Sequence, residues 1–523
     1  MVDAVTGRVA QRFAPSANLA TNAPSIEEAA TSNLEAYRHY QLGLDLLRRF
    51  LLAEAIRELE EAVRLDPQFG LAYWHLAGAY AIQGDLRKSQ DLWPKIAQLQ
   101  SRLPRKNQLE FQAEEAFRAG DPAGGRQMLE SLLKEFPRQD DARASLAESL
   151  RHGGEPDRAI SVLKDGLQLD PKNEEFLNTL AYAQAQAGNL AAALQADDQY
   201  MAVRPNDPNP WDTRGDILYE LNHDVEAVEA YRKVMALKPD FVGYQDYVKL
   251  AGVFTDQKKF ALADSALQEY GKRATGTSKL FVTVFAAQFQ ETRGDLEGAR
   301  ASYQRAVRDL EQAGQNPGAD EALLSLARTS VLTGQGIAPD LAFARQQKFS
   351  GNEYRAIAFL QAALGDTAGS ERSLQLYAAA RRELGPQGVE RLRNTIALYA
   401  ALARQDAQGV IAAAGRLPNF DEPWLRYPRG WAYFETKDYS RAEQDLRAAV
   451  LEERDQSEIN TMRNRSPLLA ALAHFYLGQV YEATGKRDQA TNEYQEFLSH
   501  FENSSARLPQ IAQARAALQR SLP

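Results

Sequence analysis

The side chains able to do metal or acid-base chemistry are spread along the chain without a motif. None of the six histidines lies four residues from another, the spacing that places two imidazoles on one helix face to bind a metal ion. The lack of cysteine removes disulfides, thiolate ligands and cysteine nucleophiles. The 70 acidic residues provide many spatial pairs, but most of them are expected to solvate helix faces. We predict no cofactor, and a metal site assembled between distant segments stays open.

Nucleotide-binding and nucleophile motifs are also missing. The chain contains neither G-x-x-x-x-G-K-[ST] nor G-x-G-x-x-G, and Gly334-Gln335-Gly336 lacks both the third glycine and a preceding strand. The H-R-D and D-F-G signatures of protein kinases and the G-x-S-x-G nucleophile elbow are not found. The sequence therefore predicts a protein that is not an enzyme.

The composition is that of an ordinary globular chain. Of 523 residues, 44% are hydrophobic and 25% are charged, which allows a large buried core. The net charge of −9 is spread along the chain without a Lys/Arg-rich tract, so nucleic acid is not an expected partner. No apolar run approaches the roughly 20 residues that span a bilayer, so we expect no membrane insertion and a soluble protein, cytoplasmic by default.

Small, apolar and turn-forming residues recur at fixed intervals and would position any binding residues. In residues 174–207 and 209–240 the same skeleton repeats at an offset of 34 residues. Apolar or small residues stand three and four apart on either side of a Gly-Asp or Gly-Asn break, which indicates two helices joined by a tight turn. At the breaks 188–189, 294–295 and 365–366, the glycine is expected to adopt a positive φ and the next residue to cap a helix.

Glycines inside the first helices indicate close packing. A larger side chain at such a position would overpack the contact between two helix backbones. These glycines are Gly43, Gly215, Gly430 and Gly478.

This spacing resembles the tetratricopeptide repeat, whose W-x2-L-G-x2-Y, A-x3-F and P positions recur every 34 residues. The resemblance implies an all-α fold, a right-handed α-solenoid of about thirteen helix-turn-helix units. It divides the chain into an N-terminal helix and linker at 1–35, regular repeats at 36–313, irregular repeats at 314–503 and a C-terminal capping helix at 504–523.

The concave face of such a solenoid, lined mainly by the first helix of each unit, is the expected binding surface. By the repeat register, residues one, five and eight after each unit's leading aromatic position face inward. In the first six units these positions combine carboxylates with rings, which predicts a groove for an extended or helical peptide that is neutral or basic. The alternative is that the rings pack between units and the acids only solubilise. The candidate groove residues are Tyr40, Trp74, Glu110, Glu114, Phe117, Glu148, Arg151, Asn178, Tyr182, Asp212, Asp216 and Tyr219.

One ligand class of this family is disfavoured. Co-chaperone members capture a C-terminal carboxylate with inward Lys, Asn and Arg side chains. The corresponding positions here are Tyr40, Leu44, Gly78, Glu110 and Glu114, which do not suit an anion.

Two functions stay open. One is a stand-alone scaffold for protein–protein interaction. The other is the C-terminal sensory or docking region of a larger signalling protein, since residues 23–77 resemble the junction before the repeats of bacterial eukaryotic-like Ser/Thr kinases. In that case a kinase domain would lie upstream and the chain would be periplasmic, although no kinase residue is present to carry over.

The N-terminal segment is expected to connect the first repeat to a capping helix or to another domain. Ser32 or Asn33 is the expected N-cap of the first repeat helix, with Glu35 in its first turn. Apolar residues at three and four spacing in 2–13 predict a helix that either caps the solenoid or ends another domain.

Overall fold

The computed structural model describes residues 31–83, 85–118, 121–381, 384–417, 423–452, 467–502, 504 and 506–521. Within these ranges every regular element is helical, which confirms the predicted all-α class. The apolar stripe at 2–13 lies outside the described residues.

The helices follow one another with short connections. In order they are α1 (Leu34–Arg48), α2 (Leu52–Leu65), α3 (Gly70–Gln83), α4 (Leu86–Leu99), α5 (Arg105–Arg118), α6 (Pro122–Glu135), α7 (Asp140–His152), α8 (Pro156–Leu169), α9 (Glu174–Gln186), α10 (Leu190–Val203), α11 (Pro208–Glu220), α12 (Asp224–Leu237), α13 (Gln245–Asp256), α14 (Phe260–Arg273), α15 (Gly276–Leu280), α16 (Val282–Thr292), α17 (Leu296–Gln312), α18 (Asn316–Thr333), α19 (Ile337–Ala344), α20 (Tyr354–Ala363), α21 (Thr367–Ala380), α22 (Gly385–Ala403), α23 (Ala407–Ala414), α24 (Pro423–Glu435), α25 (Tyr439–Glu452), α26 (Pro467–Ala483), α27 (Arg487–Ser499) and α28 (Pro509–Ser521).

Apart from the short α15 and the terminal α28, these helices form consecutive antiparallel pairs. Two 3₁₀ turns, Gln100–Arg102 and Phe241–Tyr244, lengthen the connections after α4 and α12. Each pair is one unit of the solenoid, as the repeat predicts.

The helix ends follow the turn chemistry of the sequence. The Asn33 side chain caps α1, because its Oδ1 accepts the N–H of Ala36 at 3.1 Å. Gly294 has φ +73°, and Asp295 caps α17 by accepting the N–H of Gly298 at 3.0 Å. Asn189 lies at the predicted N-cap position of α10, but its side chain makes no capping bond, and its amide instead donates to the Gln184 side chain at 3.2 Å.

Glycine positions inside the first helices set the distance to the second helix. A Cβ on Gly215 would lie 2.5 Å from the Tyr231 ring, and a Cβ on Gly478 would lie 2.7 Å from the Tyr494 ring. The two other predicted glycines would meet leucine side chains at 2.7 and 2.8 Å. The close approach predicted from these residues is confirmed.

The two helices of a unit play different parts in the packing. First helices of consecutive units contact one another, as α7, α9 and α11 do. A second helix such as α8 packs between the first helix of its own unit and that of the next. The first helices therefore line the inner face of the curve, and the core lies between the two layers.

Units far apart in sequence also touch. The Arg49 Nε donates to Asp207 Oδ2 at 3.1 Å, and the Gln315 amide donates to Asp85 Oδ1 at 3.3 Å. Near the C-terminus α26 packs on α16, and His500 Nδ1 lies 3.1 Å from a backbone carbonyl at the end of α16. The solenoid thus curves far enough for successive turns to meet.

Candidate functional site

A cavity of about 70 Å³ lies between three consecutive first helices, α3, α5 and α7. Four of the predicted groove residues line it together, namely Trp74, Glu110, Glu114 and Phe117. The exposed Ser145 of α7 also belongs to the lining, so the cavity reaches the inner surface.

The helix α5 supplies one continuous polar and aromatic stripe. Asn107, Glu110, Glu114 and Phe117 follow one another at spacings of three, four and three residues, which places all four on one face of the helix. The Phe117 ring packs against Gly125 at the start of α6, where any larger residue would displace it. The turn from α5 to α6 therefore orients the end of the stripe.

Two buried acceptors in this cavity have no hydrogen-bond donor among the residues that the structure describes. Asn107 and Glu110 are each only 8% exposed, and the Asn107 amide donates to Glu110 Oε2 at 2.9 Å. This bond leaves Asn107 Oδ1 and Glu110 Oε1 buried without a hydrogen-bond partner. Buried acceptors without donors are uncommon in folded proteins, so this pair calls for an explanation.

The cavity is acidic, and its central carboxyl is perturbed. Burial, followed by the nearby charge of Asp141, raises the pKa of Glu110 to about 7, and Asn107, Gln139 and Lys106 offset only part of this rise. At a pH near 7 the protonated and the charged forms of Glu110 are therefore both populated. A neighbouring cation would favour the charged form.

Aromatic rings form another part of the lining. The rings of Trp74 and His75 stack with centroids 6.2 Å apart, and Trp74 meets the edge of Phe111 at 6.0 Å. Burial lowers the pKa of His75, which keeps this imidazole neutral at pH 7. Rings near a carboxyl group suit a cationic group, which aromatic faces attract.

The first predicted groove residue lies in the core. Tyr40 is 3% exposed and its ring packs 4.8 Å from Phe69 and 5.7 Å from His75. Its contact with a ligand stays a prediction.

The remaining predicted residues form a ladder of polar contacts between consecutive first helices. Glu148 accepts from Arg151 at 2.9 Å, and the Arg151 guanidinium lies 5.7 Å from the ring centroid of Tyr182. Thr213 donates to Asn178 Oδ1 at 2.9 Å. The Glu148–Arg151 bond lies within α7, and the other two contacts cross a unit boundary.

The ladder ends in a buried charge cluster. Tyr182 donates to Asp216 at 2.9 Å, and Lys249 Nζ donates to Asp212 at 2.6 Å and to Asp216 at 2.9 Å. Tyr219, fully buried one turn further along α11, donates to a carboxylate of the next unit. These groups are buried and bonded to one another. Their predicted role in ligand binding stays a prediction.

Sequence reasoning missed six residues of the cavity lining, four of which are polar. Counting three inward positions per unit passed over His75, Asn107, Asp141 and Ser145. The signal that could have found Asn107 is the three-four-three stripe on α5, which starts one turn before Glu110. Within the described residues no group of three or more His, Cys, Asp or Glu side chains is arranged to hold a metal ion.

Comparison with known families decides the nature of the repeat. Models of the tetratricopeptide repeat match residues 40–89, 112–174, 150–217 and 472–504. These parts of the chain are tetratricopeptide repeats. These repeats are protein–protein interaction modules, so the chain is a protein-interaction scaffold in this general sense, and their fold is typically non-catalytic.

Known proteins resemble parts of the chain. Cellulose synthase operon protein C of Escherichia coli (strain K12) is 26% identical over 274 residues, which is 50% of this chain and 22% of that protein. The peroxisomal targeting signal receptor of Kluyveromyces lactis is 37% identical over 75 residues, 14% of this chain and 13% of the receptor. The matched regions thus span about a fifth or less of these relatives.

Among solved structures, a tetratricopeptide repeat protein from Parabacteroides merdae ATCC 43184 is similar to part of the chain. It shares 15% sequence identity, with a TM-score of 0.30, and the match covers 53% of this chain and 92% of that one. In the described part of the chain, no helix has the length and hydropathy required to cross a membrane.

Proposed function

We propose that the tetratricopeptide repeats of this chain bind a segment of a partner protein on their inner face, at the cavity between α3, α5 and α7. The observation that carries this function is the pair of buried acceptors in the cavity, Asn107 Oδ1 and Glu110 Oε1, for which the described residues supply no hydrogen-bond donor. An acceptor buried without a partner costs about 1–3 kcal/mol, which a bound donor would recover.

The surroundings of these acceptors suit a peptide. Trp74 of α3 and Phe117 at the end of the α5 stripe are partly exposed rings of the lining, and aromatic anchors in a pocket commonly dominate peptide binding. By its name, one relative is a receptor for a targeting signal, which agrees with this class of ligand. The ladder residues from Glu148 to Tyr219 offer fewer free polar atoms, so we place the site at the cavity rather than along the ladder.

The location of binding can be tested with single cysteines, since the chain has none of its own. Ser145 lines the cavity and Ser131 is an equally exposed serine on the outer helix α6. We expect Ser145→Cys labelled with benzophenone maleimide to crosslink to a pool of random 12-residue peptides on illumination, because bound peptides would pass over it.

The matched Ser131→Cys protein should give little adduct. Equal yields from the two labelled proteins, or more adduct at position 131, would contradict a binding site on the inner face.

The alternative function, a docking region of a larger kinase-like signalling protein, stays a prediction. Its test is the reading frame upstream of Met1, where a kinase domain would support it.

A further inference from the structure

We infer that the cavity between α3, α5 and α7 is a receptor for one lysine side chain of the bound partner. This inference rests on the proposed function, because it names the group that the peptide inserts. The argument comes from comparing this cavity with the buried charge cluster three units further along the same chain.

The two places occupy the same register of the repeat. Glu110 and Asp212 are separated by 102 residues, three repeat lengths of 34, and the same offset relates Glu114 to Asp216. The small packing residue follows Glu110 by three positions as Ala113 and follows Asp212 by three as Gly215. Both first helices therefore present two carboxylates at equivalent positions of the inner face.

The next helix differs between the two places. In the cluster it supplies Lys249, which comes directly before the buried pair Leu250-Ala251. In the cavity the equivalent residue is Ser145, directly before the buried pair Leu146-Ala147. A serine therefore stands where the other unit places an ammonium group.

The cluster shows how this chain holds a buried ammonium. Lys249 Nζ donates to Asp212 Oδ1 at 2.6 Å and to Asp216 Oδ2 at 2.9 Å, and it lies 5.6 Å from the Tyr231 ring centroid. Two carboxylates and a ring thus surround the cation and replace the water that it loses on burial.

The cavity offers acidic and aromatic groups of the same kinds, with Ser145 at the position of the lysine. Glu110, Glu114 and Asp141 supply acidic side chains, Trp74 and Phe117 supply rings, and the space that a lysine would fill is about 70 Å³. Glu110 Oε1 and Asn107 Oδ1 are acceptors, so the missing group must be a donor. An ammonium carries three donors and a positive charge, which matches both the acceptors and the acidic lining.

The test compares peptides that differ only in one side chain. Three fluorescent pools of random 12-residue peptides carry lysine, Nε-acetyl-lysine or norleucine at one fixed central position, and their binding to the full chain is followed by anisotropy at pH 8. We expect the lysine pool to bind about tenfold more tightly than the other two, because only lysine brings the charge and donors.

The deciding variant is Ser145→Lys, which should place an internal ammonium where the structure lacks one. We expect this variant to lose the preference for the lysine pool, and Glu110→Gln to weaken it severalfold. The matched Ser131→Lys on the outer helix α6 and Glu115→Gln on the exposed side of α5 should keep the preference intact.

The outcomes separate the two proposals. Equal binding of all three pools by the unmodified chain, or a lysine preference that survives Ser145→Lys, would overturn the lysine receptor while leaving the peptide site standing. If no pool binds the unmodified chain, the proposed function and the lysine receptor fall together.

Discussion

Two carboxylates at one register position, Glu110 and Asp212, meet different neighbours and so have different consequences. Asp212 accepts from the Lys249 ammonium at 2.6 Å, whereas Glu110 keeps one oxygen without a donor. Burial is the largest cause of the raised pKa of both Glu110 and Asp216, and Lys249 offsets only part of the rise at Asp216. The two sites differ in that a lysine of the next first helix donates to the carboxylates of the cluster, whereas the cavity has Ser145 at that position.

The raised pKa of Glu110 predicts a pH-dependent cost to the fold. The folded pKa of about 7 lies above the ordinary value of 4.5, so the favourable contribution of this group is complete below pH 4.5 and is lost as pH rises through 7. We expect Glu110→Gln to raise the free energy of unfolding by on the order of 2–3 kcal/mol at pH 8 and by much less at pH 5.

Urea unfolding at both pH values checks this difference, with Glu115→Gln on the exposed side of the same helix as control. A stabilisation that is equal at pH 5 and pH 8 would mean that burial does not perturb Glu110. The charged groups facing Glu110 that can also titrate or screen it are Asp141, Glu114, His75 and Lys106, and they are present in both proteins.

Removing the Lys249 ammonium from the buried charge cluster should destabilise the fold. Lys249→Ala leaves the buried Asp212 and Asp216 without their cation, and loss of one partner of a buried ion pair costs about 3–5 kcal/mol. Urea unfolding of this variant beside Lys272→Ala, whose lysine is exposed beside Glu269, measures the effect. Losses of similar size in the two variants would show that the cluster does not stabilise the fold.

At the scale of the helix pair, the fold depends on how closely the two helices of a unit approach. Gly215 allows the Tyr231 ring to lie over α11, and the hydroxyl of that tyrosine in turn donates to Asp216 at 2.8 Å. The packing of one glycine therefore holds a residue of the charge cluster in place.

Gly215→Ala should destabilise the protein and Gly78→Ala should not. A methyl group on Gly215 would meet the buried Tyr231 ring, and such overpacking costs about 1–3 kcal/mol. Gly78 lies on the exposed side of α3, and a methyl group there would have no atom within 4 Å, so alanine should add about 0.5–1 kcal/mol through its higher helix propensity. Midpoints of thermal unfolding check both, and a stable Gly215→Ala variant would contradict the close approach.

The helix pairs could be predicted from sequence because their causes are local. The Asn33 cap and the glycine at 294 act within a few residues of their own positions, and the small residue at 215 acts on the second helix of its own unit. The cavity could not be predicted, because it depends on what three different units place opposite one another. The bonds that Asp216 accepts from Tyr182 and Lys249 could not be predicted either, since each joins buried side chains about one unit apart.

At the scale of the whole molecule, contacts between successive turns of the solenoid hold its curvature. Packing between neighbouring repeats alone would allow that curvature to vary. The loop after α16 touches the C-terminal units, where Ser504 donates to the Gly294 carbonyl. This contact joins residues 210 positions apart, and no periodic pattern in the sequence predicts it.

Gly294→Ala should loosen the C-terminal units. A Cβ on Gly294 would lie 2.7 Å from both Phe501 and Ser504, and the positive φ of 73° would be strained for alanine. The matched Gly365→Ala carries the same backbone strain, with φ +85°, but would meet no atom within 4 Å. We expect faster hydrogen exchange in α27 and α28 only in Gly294→Ala, and equal exchange in both variants would contradict a stabilising contact between turns.

The most direct test of the binding site is to find which carboxyl groups a bound lysine touches. The unmodified chain, mixed with the lysine peptide pool, can be treated with a carbodiimide that joins an amine to a carboxyl group in contact with it, and the linked residues identified by mass spectrometry. A lysine in the cavity predicts amide links at Glu110, Glu114 or Asp141. Links confined to acids of the outer helices, such as Glu130 on α6, would contradict it.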